Sequence, residues 1–208
     1  MLDSPLITVL VFAGTVYLFK IWYDDYRAGM SGQVNERALP GATAAPRAAI
    51  LIGIIGALLL VALETGGEYA LGVSDQQSDI VALMLLAMVA AGVIEEVVFR
   101  GYLVVTDKGK GLLLASIIGF SLLFALGHYQ YYTDIPEGGS WRDLSLEISP
   151  KSGWSLLLLF LNSLWFYTVR FFRWNPGHSL LPCFAAHIAS NLGVFLVKLA
   201  QGHVTGWF

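Results

Sequence analysis

The sequence predicts an all-α protein, a polytopic membrane helical bundle of about six transmembrane helices. Three observations carry that prediction. Residues of the AVILMFWYC set make up 56% of the 208 positions and DEKR only 13%, about half the usual charged share of a soluble chain. The mean hydropathy is +0.67. Six stretches are long and apolar enough to cross a bilayer, which takes about 20 residues each. Twelve basic and fifteen acidic side chains are too few to clothe a water-soluble fold of this size. The composition excludes a disordered chain, a collagen-like chain and an ordinary cytosolic enzyme. A net charge of -3 excludes a basic nucleic-acid footprint. One cysteine, Cys183, excludes an internal disulfide.

The spans run over 4–23, 48–63, 79–105, 111–132, 154–172 and 179–200. The first has only Asp3 as a charge before it and no A-x-A site, so it reads as a retained anchor and not a cleaved signal. The second is short. The third begins at the end of an acidic connection (64–78) and closes on the tight turn Thr106–Lys110. Gly119 and Gly127 in the fourth allow close helix approach. A long polar connection, 133–153, precedes the fifth and reads as a lid or substrate-facing segment. The short link Arg173–His178 leads into the sixth. No repeat or second domain interrupts this single membrane domain over 1–208. Lys20, Arg27, Arg37, Arg47, Lys108, Lys110, Arg170 and Arg173 fall on one side, against Arg142, Lys151 and Lys198 on the other. That bias predicts both termini outside and the odd-numbered connections in the cytoplasm. Trp141, Trp154, Trp165, Trp174 and Trp207 read as an interfacial belt, with Tyr129, Tyr131 and Tyr132 beside it.

Polar residues inside these spans are costly and therefore informative. In Glu95-Glu96-Val97-Val98-Phe99-Arg100, Glu96 and Arg100 are four apart and pair on one helix face. Glu95 points about 100° away and is left to project into the bundle as a general base. The plain alternative is a charge cluster marking a helix end. Phe124 and His128 repeat the i,i+4 spacing in the fourth span, where His128 otherwise belongs to an aromatic belt. His187 and Asn191 repeat it in the sixth, where interhelical glue is the alternative. Together, one carboxylate, two imidazoles and one carboxamide from three helices form a hydrolytic set. A base activates water, one His orients or protonates, and His plus Asn donate to a developing oxyanion.

E-E-x-x-x-R, F-x-x-x-H and H-x-x-x-N, in that order on three spans, resemble the three motifs of the CPBP (CAAX protease and bacteriocin-processing, Abi) intramembrane endopeptidases. The resemblance covers about 79 to 200, the expected catalytic core. It implies that Glu95 activates the attacking water, that Glu96 and Arg100 support it, that His128 helps hold water or base, and that His187 and Asn191 form the oxyanion site. Phe124 is the aromatic member of the second motif and a supporting residue. The implied partners are membrane lipid and a peptide or protein cleaved near a membrane-embedded, lipidated or C-terminal sorting segment. The implied location is the inner (plasma) membrane of a bacterium or archaeon. No cofactor is expected. Zn²⁺ held by Glu95, His128 and His187 is the alternative; it lacks the H-E-x-x-H pair on one helix, and the resemblance favours metal-free glutamic chemistry. A proton-coupled transporter and a non-catalytic immunity or scaffold protein of the same fold are the competing readings. Straight helices leave a difficulty: Glu95 lies about 18 Å and His128 about 27 Å from the turn joining their spans. His178 and His203 read as solvated, and Cys183 as a packed thiol.

Overall fold

The computed structural model describes residues 4–33, 35–129, 132–134 and 139–208. Asp3, Tyr131 and the Trp141 ring, all weighed above, lie outside them, as does part of the 133–153 connection. Six α-helices account for the bundle: α1 Pro5–Met30, α2 Arg47–Leu71, α3 Met84–Glu95, α4 Lys110–Gly127, α5 Pro150–Phe171 and α6 Leu181–Gln201. A π-helical segment, Glu96–Leu103, continues α3 without a break. The strands among the described residues are a two-residue antiparallel pair, β1 Thr133–Asp134 and β2 Ser145–Leu146, with Thr133 opposite Leu146. Five helices (α1, α2, α4, α5, α6) are each long and apolar enough to cross a membrane. The third expected span is shared between α3 and the π segment.

Three spans end well away from their sequence boundaries. α2 continues past residue 63 to Leu71, because Glu68, only 2% exposed, meets Lys151 of α5 in a buried ion pair. An acidic stretch thus stays helical by finding its cation across the bundle. α1 continues to Met30, helped by the i,i+4 pair Lys20–Asp24 at 2.6 Å. α4 stops at Gly127, and His128 caps it.

Each helix packs through residues small enough or flat enough to allow it. Trp22 of α1 is fully buried, meets Phe184 edge-on at 5.0 Å and donates its indole N–H to Pro40 O at 3.1 Å. Val93, Val97, Val169, Leu180 and Cys183 complete that cluster. Trp165 lies over Gly56 and donates to Gly53 O at 3.0 Å, while Trp154 lies over Gly67 and donates to Glu64 O at 3.0 Å. These two half-buried indoles fill glycine notches on α2. The close approach of α3 to α6 falls at Gly92, where an added Cβ would sit 2.7 Å from Ile188 Cγ1. Gly119 and Gly127 have open space instead, so they do not serve the helix contact expected of them. Arg170, counted among the loop-flanking cations, is buried beneath the end of α5.

One end of the bundle is closed by the C-terminal tail. Ile80 N–H donates to His203 O at 2.9 Å, and Ala82 and Leu83 N–H donate to Gly206 and Trp207. The tail thereby takes up donors that precede α3. His203, expected to be solvated, holds Asp79 at 2.8 Å there. His178 is exposed in the link before α6.

Candidate active site

Arg100 is the anchor of the site. It is fully buried, and a guanidinium in that position requires both a counter-charge and hydrogen-bond acceptors. Glu96, also fully buried, approaches at 3.3 Å (Oε1 to Nη1), which is the i,i+4 pair the sequence predicts. The Ser163 carbonyl and hydroxyl of α5 accept from Nη2 at 3.1 and 2.6 Å, and Ser163 Oγ donates to Ser121 of α4 at 3.0 Å. Rings surround the cation: Tyr167 at 4.7 Å, Phe124 at 4.8 Å and Phe166 at 5.2 Å. Such contacts strengthen when desolvated. Tyr167 also donates its hydroxyl to Phe99 O at 2.8 Å, pinning the π segment to α5. π turns are rare and tend to accompany functional sites; here one carries Glu96 and Arg100.

His187 is the second fixed point. Its Nδ1 lies 2.8 Å from Glu96 Oε1, and its Nε2 lies 3.8 Å from Glu95 Oε2. Phe166 stacks on the imidazole at 4.6 Å and Phe124 meets it edge-on at 6.0 Å. The carboxylate of Glu96 can only accept, so Nδ1 carries a proton and Nε2 is the nitrogen turned to Glu95. Glu96 therefore serves two partners, Arg100 and His187, where the sequence predicted one. Glu95 is more open, its side chain 29% exposed.

Glu95, His128, His187 and Asn191 all line one cavity of about 80 Å³, closed by Ala91, Phe124, Leu159, Asn162, Phe166 and Ser190. That is room for a few water-sized groups. The offset in depth expected from straight helices thus does not keep Glu95 and His128 apart. His128 Nδ1 lies 2.8 Å from Phe124 O, one turn back on its own helix, so Nδ1 donates and the Nε2 edge is the acceptor. Asn191 donates one amide hydrogen to Met88 O on α3 at 2.7 Å, tying α6 to α3. Its second hydrogen lies outside that bond.

The cavity opens into a wider cleft of about 610 Å³ that shares Ala91, His128 and Asn191 with it. The cleft extends past Met84 and Met88 to Gln76–Ser78, Lys151 and Lys198. Lys198 is nearly buried there, donating to Ser78 O at 2.6 Å. Cys183 is buried and donates toward Phe166 O at 3.5 Å, a packed thiol as expected.

Among the described residues no three His, Cys, Asp or Glu side chains converge as a metal site. The alternative Zn²⁺ set of Glu95, His128 and His187 shares the cavity without forming a ligand cluster. Sequence reasoning passed over Ser121, Ser163, Phe166 and Asn162. Asn162-Ser163 was the visible signal, a polar pair within the apolar run of the fifth span.

Residues 77–193, more than half of the chain, match the family of type II CAAX prenyl endopeptidase Rce1-like proteins. No curated protein and no solved structure matches the chain. The matched segment begins just before α3 and ends within α6, enclosing the π segment, His128, His187 and Asn191. The chain belongs to the type II CAAX prenyl endopeptidase Rce1-like family, within the CPBP intramembrane endopeptidases.

Proposed function

We propose that this chain hydrolyses a peptide bond near a membrane-embedded, lipidated or C-terminal sorting segment, using Glu95 as a metal-free general base. The observation that carries the reading is the shared cavity of Glu95, His187 and Asn191. Glu95, the more open of the two acids, takes a proton from water as the water oxygen attacks the scissile carbonyl carbon. His187 donates through Nε2 to the developing oxyanion. It does so when both ring nitrogens carry protons, with Nδ1 already held by Glu96. Asn191 supplies its second amide hydrogen to the same oxyanion. The protonated Glu95 returns its proton to the leaving amine. Glu96 and Arg100 position His187, and Phe124 packs between both imidazoles. His128 lines the same cavity beside them.

Substrate reaches the cavity through the wider cleft, whose mixed Met and Lys lining suits a peptide. The membrane in question is the inner (plasma) membrane of a bacterium or archaeon, with lipid against the exposed apolar faces of α1, α2 and α4. The test is mass spectrometry of candidate membrane peptides incubated with wild type and Glu95→Gln in liposomes. Cleavage by wild type alone is expected. Near-wild-type turnover by the variant, or proton or solute flux with no cleavage, refutes the reading.

A further inference from the structure

Glu95 Oε2 and Asn162 Oδ1 are buried acceptor oxygens with no hydrogen bond from the protein, and both residues line the small cavity. Asn162 is 7% exposed, and a carboxamide at that depth costs on the order of 1–3 kcal/mol unless its polar atoms are met. Its place on α5 is fixed from both sides. Ser163, the next residue, is held by Arg100 at 2.6 Å. Phe166, four residues on and so on the same face, stacks on His187 at 4.6 Å. Asn162 is thus one helical turn from the ring covering the imidazole, in the lining of the same cavity.

Two acceptors in one small cavity call for a single donor with two hydrogens. Water is that donor. We infer that Asn162 is a further catalytic residue: its Oδ1 accepts one hydrogen of the nucleophilic water while Glu95 accepts the other. This rests on the reading of Glu95 as the base. Held at both hydrogens, the water turns a lone pair toward the carbonyl carbon. As the O–C bond forms, the O–H bond to Glu95 breaks and that proton moves to the carboxylate. The second hydrogen stays on the new hydroxyl, still held by Asn162, until the tetrahedral species collapses and the leaving amine takes the proton from Glu95. Nothing in the three family motifs assigns this residue, which lies on a helix that carries none of them.

The test pairs two variants with two readouts. Asn162→Ala removes the acceptor, and kcat falls by about two orders of magnitude with KM unchanged. Asn162→Asp is isosteric and keeps an acceptor oxygen, so it regains much of that kcat at high pH. Its added carboxylate beside Glu95 shifts the acid limb of kcat upward by about one unit; Glu95, His128 and His187 are the titratable groups around it. Wild-type kcat in Asn162→Ala, or equal losses in both variants with an unmoved pH profile, overturns the inference. The second readout needs no turnover. A high-resolution crystal structure of the wild-type protein in lipidic phase is expected to show a water within hydrogen-bond distance of both Glu95 and Asn162. A water on Glu95 alone, or none, overturns the role of Asn162 even if Glu95→Gln behaves as predicted. Conversely, a bridging water in a protein that cleaves nothing refutes the endopeptidase reading and leaves Asn162 as a water ligand.

Discussion

His187 stands 2.8 Å from Glu96 and 3.8 Å from Glu95, one ring nitrogen toward each acid. That relationship divides the neighbouring glutamates by what they already hold. Glu96 is fully buried, with one oxygen shared between Arg100 and His187, whereas Glu95 borders the cavity with its side chain 29% exposed. Chain neighbours can differ this much because a helix turns successive side chains by about 100°, and the π segment starts between them.

The first prediction separates the two acids by stability. Glu96→Gln leaves Arg100 buried without its counter-charge, and breaking such a pair costs on the order of 3–5 kcal/mol. Glu95→Gln disturbs only a 3.8 Å contact, so its folding should be near wild type while cleavage is lost. Thermal unfolding in one detergent decides this. Equal melting temperatures for the two variants contradict the assignment of Glu96 as the structural partner.

A second prediction concerns the guanidinium. Arg100→Lys keeps the charge but not the fork that reaches Glu96 and Ser163 together. It should lose activity by well over tenfold and lower the melting temperature. Ser163→Ala, removing the hydroxyl at 2.6 Å from Nη2, should cost about 1–3 kcal/mol. Unfolding curves and turnover measured on the same preparations check both.

The helical architecture and the Glu96–Arg100 pair were legible in the sequence, since apolar length and four-residue spacing are strong local signals. What composition could not show were contacts made by residues far apart in the chain. Glu68 reads as the polar edge of a loop until Lys151 arrives from α5. Nothing local to Trp154 and Trp165 shows that each packs into a notch, at Gly67 and Gly56 of α2. The π segment was hidden because its residues keep an ordinary amphipathic pattern. Asn162 was visible as a polar break in span five, but no motif drew attention to it.

A third prediction follows from Glu68. Lys151→Met strands a carboxylate that is 2% exposed, at a cost on the order of 3–5 kcal/mol. The double variant Glu68→Met with Lys151→Met should recover most of that loss, since a well-packed apolar pair replaces a buried ion pair with little penalty. A double-mutant cycle by denaturation measures the coupling. Additive losses would mean that the pair does not hold the end of α2.

Metal dependence gives a fourth. Glu95, His128 and His187 line one cavity but, among the described residues, do not converge as a metal-binding cluster. Activity should therefore survive EDTA and 1,10-phenanthroline, and metal analysis of active protein should give no stoichiometric Zn²⁺. Inhibition reversed by added Zn²⁺ would instead favour the ligand set Glu95, His128 and His187.

The last prediction uses the glycines, where sequence and structure disagree. A Cβ at Gly92 would lie 2.7 Å from Ile188 Cγ1 and 3.2 Å from the Ile188 backbone nitrogen. The side-chain clash can be relieved by a rotamer change, but the backbone contact requires α3 and α6 to move apart. Overpacking of this kind costs about 1–3 kcal/mol. The displacement also acts on Glu95, three residues along α3, and on His187, adjacent to Ile188. Gly92→Ala should thus lower kcat as well as stability. Gly119→Ala meets nothing within 4 Å and removes only backbone freedom, so stability should be unchanged or gain up to about 1 kcal/mol. Measuring both in one bilayer mimetic separates them. A destabilised Gly119→Ala beside an indifferent Gly92→Ala would mean that α4, and not α3, makes the close helix contact on which the cavity depends.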